Sequence, residues 1–366
     1  MRIAAIRLIN YRNYAEAQVA FEAPVTVLVG ANGSGKTNLL DAIYYLSFTR
    51  SASAVADAGV VRQGESCFFI KGEFDVAGRR AEVLCRYEDN RKRISLDGKD
   101  YTRMADHVGK FPLVLVAPQD IEVIWDAGEI RRRTIDQIFC QLDRAYLDDL
   151  GTYTQLLRQR NGLLRAAQET GQPDPDLLDA YTERMVPPAR RIHQRRSELI
   201  ARMSPLVASH YQELAGASES VAVVHESALY QDDIAALWKA GQDKDIRAGR
   251  TLAGPHRDEY LFSLQGQEIR RYGSQGQQKS LLVALKLAEF QFLHEMKGVK
   301  PLLVLDDIFD KLDDQRIRRL MQLTASGTFG QIFLSDARPE RAQTILREGG
   351  LQADFIQTER GTLRRI

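Results

Sequence analysis

Apolar residues in the N-terminal part of the chain fall first at strand-like and then at helix-like intervals. RIAAIRLI and AQVAFE are β-rich or alternate, and PVTVLVG is a short, almost continuous apolar run ending in glycine, so three strands are expected. GKTNLLDAIYYLSF then sets Leu39, Leu40, Ile43, Tyr44 and Leu46 close to helical spacing, which predicts a helix directly after a glycine-rich loop. From Val60 to Leu96, CFFIKGEFDV, AEVLCRYE and RISLDG are separated by AGRR and EDNRKR, the pattern of an antiparallel meander with Gly or Asn at its turns. FPLVLVAPQD predicts another buried strand.

The texture changes after Gln119. Between Ile121 and roughly Ala215 strand signals give way to long helical patterns, interrupted at GQPDPD, where Pro173 and Pro175 predict a turn, and broken or kinked at Pro187 and Pro188. Strands resume with ESVAVVHES, GPHRDEYLFSL, PLLVLDDIF and QIFLSDA. The expected organisation is an α/β domain with an antiparallel β subdomain, residues 1–120 and 216–366, carrying an inserted helical lobe, residues 121–215. No internal repeat and no heptad array long enough for an extended coiled coil is present.

Composition narrows the class. The 366 residues suffice for two domains, or for one large domain with an insertion, and the apolar and charged fractions are those of a globular protein. A net charge of +1 excludes a broad basic coat, so any nucleic-acid site must be a local patch. Cys67, Cys85 and Cys140 have no CxxC spacing, which argues against a disulfide framework or zinc knuckle and suits a reducing cytoplasm. MRIAAIRLINYRNYAEA lacks the features of a signal peptide, and no stretch has the length and freedom from charge of a membrane span. A soluble cytoplasmic protein without a membrane partner is expected.

GANGSGKT, Gly30 to Thr37, fits the G-x-x-x-x-G-K-[ST] pattern of a phosphate-binding loop. Glycines let successive N–H groups turn inward around phosphate oxygens at a helix N-terminus, whose partial positive charge favours the anion. The candidate nucleotide contacts are Gly30, Ala31, Asn32, Gly33, Ser34, Gly35, Lys36, Thr37 and Asn38. Lys36 would reach the β- and γ-phosphates, and Thr37 would offer its hydroxyl to Mg²⁺. A chance glycine-rich turn is disfavoured by the strand before it and the helix after it.

PLLVLDDIFDKLD is an apolar strand tipped by two acids. Asp306 is placed to bind Mg²⁺, and Asp307 stands where a hydrolysing ATPase needs a carboxylate to polarise water; a solvated strand end is the plainer alternative. YGSQGQQKSLLVALKLAEFQFL sets Ser274 ahead of a strongly apolar helix, where it can cap the N-terminus and complete a second anion site. One nucleotide does not need two helix N-termini from one chain, so a second copy could supply the other.

These pieces together resemble the ATP-binding-cassette heads of the SMC and Rad50 group, in which ATP lies between two subunits. More narrowly, NYRNY, GANGSGKTNLLDAIYYLS, APQD, the arginines at 131–133, GPHRDE, YGSQGQQKS and LDDIFDKLD resemble, in order, the RecF family of bacterial recombination mediators. The compact helical lobe, in place of a long coiled coil, agrees with the narrower resemblance. It implies an ABC-type P-loop head with ATP and Mg²⁺ as cofactors, an ATP-dependent homodimer, and binding of duplex DNA next to a single-strand gap. It further implies partnership with RecR and RecO in recombinase loading.

Residue by residue, the resemblance implies that Arg12 and Asn13 approach the nucleotide and that Gln119 sits by Mg²⁺ and the attacking water. Ser274, Gln275, Gly276 and Gln277 would meet the γ-phosphate of the other copy's ATP, and Asp310 and Asp313 would lie in a turn crossing the dimer interface. The catalytic set is then Lys36, Asp307 and Gln119, and the Mg²⁺ set Thr37, Asp306 and Gln119. Transporter-type cassettes carry Glu where Asp307 stands and His where Asp336 stands. Both differences predict slow hydrolysis, with ATP as a clamp and timer, and with the resemblance they imply a weak, DNA-dependent ATPase acting as a switch.

RMVPPARRIHQRRSELIARM places Arg184, Arg191 and Arg195 at helical spacing, with Arg190 and Arg196 nearby. Such a row suits DNA phosphates, or equally a solvated face paired with acids such as Glu198. Arg131 to Arg133 and Asn90 to Arg93 are weaker candidates. His256 lacks a spaced partner and is expected to be structural, with Arg257 and Asp258 forming an ion-pair hinge. Two other classes compete with the repair reading, the nucleotide-binding subunit of a membrane transporter and an ATP-gated nuclease head; no acid-rich cleavage domain follows residue 340.

Overall fold

The computed structural model describes residues 1–53, 55–126, 128–171, 174–215, 219–308 and 314–366. In chain order the first elements are β1 (Arg2–Tyr11), β2 (Tyr14–Ala20), β3 (Val25–Val29), α1 (Lys36–Phe48), β4 (Phe68–Val76), β5 (Arg79–Glu88), β6 (Arg91–Leu96), β7 (Lys99–Asp100) and β8 (Leu113–Val116). Then come α2 (Glu122–Trp125), α3 (Gly128–Leu142), α4 (Arg144–Thr170), α5 (Pro175–Ala215), β9 (Val221–Glu226), α6 (Ile234–Ala248), β10 (Glu259–Leu264), β11 (Gln267–Glu268) and α7 (Ile269–Tyr272). The chain ends with α8 (Gln275–Lys297), β12 (Leu302–Leu305), α9 (Asp314–Ala325), β13 (Ile332–Asp336), α10 (Pro339–Glu348), β14 (Ala353–Glu359) and β15 (Thr362–Arg365).

Two compact units result. The first comprises residues 1–121, 210–217 and 279–366, and the second residues 122–209 and 218–278. The sequence pattern places the end of the helical lobe at 215, whereas the second unit also takes in β9, β10 and β11. The reason is polar as well as apolar: β10 packs on α3, where Arg131 Nε donates to Glu259 Oε1 at 2.7 Å.

The first unit holds two six-stranded sheets, β2-β1-β4-β5-β6-β7 and β15-β14-β3-β13-β12-β8. The former is antiparallel, as its alternating pattern requires. In the latter β14, β3, β13, β12 and β8 run parallel, and only β15 is antiparallel. Every residue of β3, β12 and β13 is buried, which is why these strands read as continuous apolar runs. Helix α1 touches strands of both sheets and buries Leu39, Leu40, Ile43 and Leu46 in their shared core. Each such side chain contributes about 1.5–3 kcal/mol, so the helix N-terminus is held firmly at the carboxyl end of β3. The closing β14–β15 hairpin is an addition to the expected strands, although IQTERGTL has strand spacing around a turn at Arg360 and Gly361, both at positive φ.

In the second unit α5 passes through Pro187 and Pro188 without ending, so the break expected there does not occur. Its buried face, Met185, Ala189, Ile192, Leu199, Ile200 and Met203, outweighs the roughly 3 kcal/mol that a helical proline costs. Asp174 opens α5 by accepting from Leu177 N at 3.0 Å, and Asp143 caps α4 in the same way. Pro173 of the expected turn lies outside the described residues.

Candidate nucleotide site

The carboxyl ends of the parallel strands β3, β8, β12 and β13 gather the chemistry, as open α/β sheets do. β3 delivers the chain into Gly30 at φ 153°, where any side chain would collide with Thr358. Gly35, at φ 119°, begins α1 and leaves room only for Asn13 and Tyr14 beside it. No side chain caps α1 and no acid lies in its first turn, so its free N–H groups and positive dipole end remain available to an anion. That is the property a polyphosphate site needs.

The turn between β1 and β2 braces this loop. Asn13 Nδ2 donates to Ser34 O at 3.0 Å, Asn38 Nδ2 donates to Asn13 Oδ1 at 2.7 Å, and Tyr14 Oη donates to Gly35 O at 2.9 Å. From the other side Thr358 of β14 meets Ser34 hydroxyl to hydroxyl at 2.6 Å. The Lys36 ammonium is held over the loop by Gly30 O at 2.7 Å and Ala31 O at 3.2 Å. Loop and lysine therefore keep one shape with few rotamers left to lose on binding.

Asp306 follows β12, and its Oδ1 accepts from Thr37 Oγ1 at 3.2 Å and from Ser335 Oγ at 2.6 Å. Burial raises its pKa above the usual carboxylate value, opposed by those two hydrogen bonds. Ser335 also accepts from Asp307 N at 2.9 Å, and Asp307 stands at φ 47°, a left-handed conformation uncommon for a residue with a side chain. A cleft of ≈ 190 Å³ opens here, lined by Arg12, Thr37, Asn38, Asp41, Ser53, Gln119, Asp306 and small apolar neighbours. The hydroxyl, carboxylate and amide oxygens of Thr37, Asp306 and Gln119 are a donor set that fits Mg²⁺.

Sequence reasoning misses three residues of this site. Ser335 is hidden in QIFLSDA beside Asp336, whose carboxylate accepts from Arg338 N at 2.9 Å. Asp41 is a buried acid within an otherwise apolar helical stretch, a signal that the sequence does carry. Thr358 belongs to the additional hairpin.

Ser274 to Gln277 belong to the second unit. Ser274 caps α8 in a reciprocal box: Gln277 N donates to Ser274 Oγ at 3.3 Å and Ser274 N to Gln277 Oε1 at 2.8 Å. Gln278 stitches the helix start to α7 through Ile269 O and Gly273 O, both at 3.1 Å. Ser274 and Gln275 are exposed. Asp310 and Asp313 lie outside the described residues.

The basic stretches resolve toward pairing. Arg190 pairs with Asp233, Arg191 with Asp149, and Arg195 with Asp143 and Glu198. Arg196, 2% exposed, is buried between Asp136 and Asp258 at 2.9 and 2.8 Å. Arg131 pairs with Glu259, Arg132 donates to Asp258 O, and Lys92 pairs with Asp57. The expected Arg257–Asp258 hinge is thus corrected, because Arg196 and His225 occupy that carboxylate. His256 is a neutral core histidine between Tyr153 Oη and Thr251 O, and burial depresses its pKa to about 4. His193, His225 and Asp258 lie close enough to hold a cation, but His225 has both ring nitrogens in hydrogen bonds and Asp258 already neutralises Arg196.

Fold and site define an ATPase head of the ATP-binding-cassette type. The family described as RecF/RecN/SMC N terminal domain matches residues 2–345. The chain is 38% identical to the DNA replication and repair protein RecF of Flavobacterium johnsoniae, over 95% of this chain and 97% of that one. It is 36% identical to the protein of the same name from Cytophaga hutchinsonii, over 99% and 96%. A solved structure described as the recombination mediator protein RecF-ATPrS in the RecFOR pathway superposes with a TM-score of 0.90 at 25% identity, covering 100% of this chain and 98% of the other. The chain belongs to the RecF family. Among the described residues no helix is long and apolar enough to cross a membrane.

Proposed function

We propose that this chain is a cytoplasmic, ATP-dependent, DNA-binding recombination mediator. Two copies share ATP, close on duplex DNA next to a single-strand gap, and aid recombinase loading during repair and replication restart, with RecR and RecO as partners. The observation that carries the reading is the pairing of chemistries on one chain: an uncapped, anion-ready α1 beside Thr37 and Asp306, and an exposed, capped serine at the head of α8. The names of the relatives support it.

In this reading the N–H groups at the start of α1 and the Lys36 ammonium hold the β- and γ-phosphates. Thr37, Asp306 and Gln119 would hold Mg²⁺, which when bound supplies positive charge to the phosphate oxygens. Asp307, kept in place by Ser335, orients the attacking water. Its carboxylate is one methylene shorter than glutamate, so turnover is slow and ATP serves as clamp and timer. Ser274, Gln275, Gly276 and Gln277 reach the γ-phosphate held by the other copy.

Light scattering tests this. ATP should raise the dimer fraction and the affinity for gapped duplex together, and Lys36→Ala or Ser274→Arg should abolish both. A protein that stays monomeric at micromolar concentration with saturating ATP rejects the reading.

A further inference from the structure

Among the residues that line the cleft, Asp41 carries a buried carboxylate. It is 6% exposed and accepts hydrogen bonds from four residues in two separate segments, 11–12 and 51–52. Oδ2 takes Tyr11 Oη at 2.7 Å, Arg12 Nη2 at 3.1 Å and Ser51 Oγ at 2.9 Å; Oδ1 takes Ser51 Oγ at 2.9 Å and Ala52 N at 2.7 Å. Arg12 Nη2 also donates to Ser51 Oγ at 2.9 Å and to Ser53 Oγ at 2.7 Å. All hydrogen bonds of this guanidinium to the described residues thus run through one nitrogen. Nε is buried without a partner and Nη1 has none among the described residues, on a side chain that lines the cleft with Thr37, Gln119 and Asp306.

The backbone reinforces the aim. Arg12 sits at φ 56°, and its N–H is tied to Val60 O at 2.8 Å. A left-handed arginine is maintained only where the surroundings over-determine it. A guanidinium gripped along one edge is also pre-organised for fork-like contact along another.

We propose that Asp41 is a positioning residue for recognition of the terminal phosphate: it clamps Nη2 of Arg12, with Ser51 and Ser53, so that Nη1 is presented to the γ-phosphate. Asp41 thereby sets the preference for ATP over ADP without touching nucleotide. This deepens, and rests on, the reading of the cleft as an ATP site.

Calorimetric titration of Mg²⁺-ATP and Mg²⁺-ADP into the full chain tests it. Arg12→Ala should weaken ATP binding about tenfold while sparing ADP. Asp41→Asn, which keeps the volume, should lose most of that preference, and the double variant should be no worse than Arg12→Ala alone. Exposed Ser53→Ala, which leaves the core intact, should give a smaller loss of about two- to threefold. A general loss of structure would weaken both nucleotides alike, so the ATP-to-ADP ratio reports positioning. The inference is overturned if Asp41→Asn and Ser53→Ala keep the wild-type ratio while Arg12→Ala loses it. If the wild type binds neither nucleotide, the functional reading falls first and takes this inference with it.

Discussion

Thr37 Oγ1 and Asp306 Oδ1 lie 3.2 Å apart although 269 positions separate them in the chain. Ser335 holds the same carboxylate oxygen at 2.6 Å, so the acid of β12 is aligned with the hydroxyl of the phosphate loop by the protein itself. Pre-alignment of this kind removes most of the ordering cost of assembling a metal site.

Asp306→Asn keeps the shape and both hydrogen bonds but loses the charge. Mg²⁺-dependent ATP binding should fall at least about tenfold, while ATP binding in chelator changes little. Titrations with and without Mg²⁺ check this; equal losses in both would mean that Asp306 serves the fold only.

If each nucleotide is shared between copies, two inactive variants should complement. Mixing Lys36→Ala with Ser274→Arg puts both lesions in one composite site and leaves the other intact. ATP-dependent dimers should reappear in the mixture by light scattering. Their absence, with each variant folded, would place loop and serine on the same nucleotide of one chain.

Glu289 supplies a pH test. Burial raises its pKa from 4.5 to about 7, opposed by the Lys286 ammonium 3.6 Å away and aided by the Asp120 carboxylate, while Lys286, also 3.3 Å from Asp120, keeps its charge. An acid that prefers its proton in the folded chain stabilises the fold fully below pH 4.5, and that contribution is lost as pH rises through about 7. Wild type should therefore lose up to about 3 kcal/mol between pH 5 and pH 8 relative to Glu289→Gln. Urea unfolding of both proteins at the two pH values measures the difference; parallel pH profiles would refute it.

Arg196→Met leaves Asp136 and Asp258 buried without their counter-charge and should cost about 3–5 kcal/mol. Arg191→Ala and Arg195→Ala, at exposed pairs, should stay within about 1 kcal/mol. Thermal unfolding and binding to gapped duplex separate the roles. A drop in DNA affinity for Arg196→Met with stability unchanged would make it a nucleic-acid contact after all.

The contiguous parts of the site are legible in the amino-acid sequence alone. The phosphate loop needs glycines, a lysine and a hydroxyl in unbroken order between a strand and a helix, and the acid-tipped strand ends where a parallel sheet presents its ligands. The meander and the apolar strands follow from periodicity, because alternation and continuous runs report how many faces are buried. Periodicity does not report which distant polar group waits on the other side. Only the folded chain shows that Asp258 answers to Arg196, 62 positions away, that Thr358 closes on Ser34 from 324 positions away, and that Asp41 ties Arg12 to the 51–53 segment. Local spacing determined the loop and its strands, whereas tertiary packing alone decided which charges are spent inside the protein and which remain for a ligand.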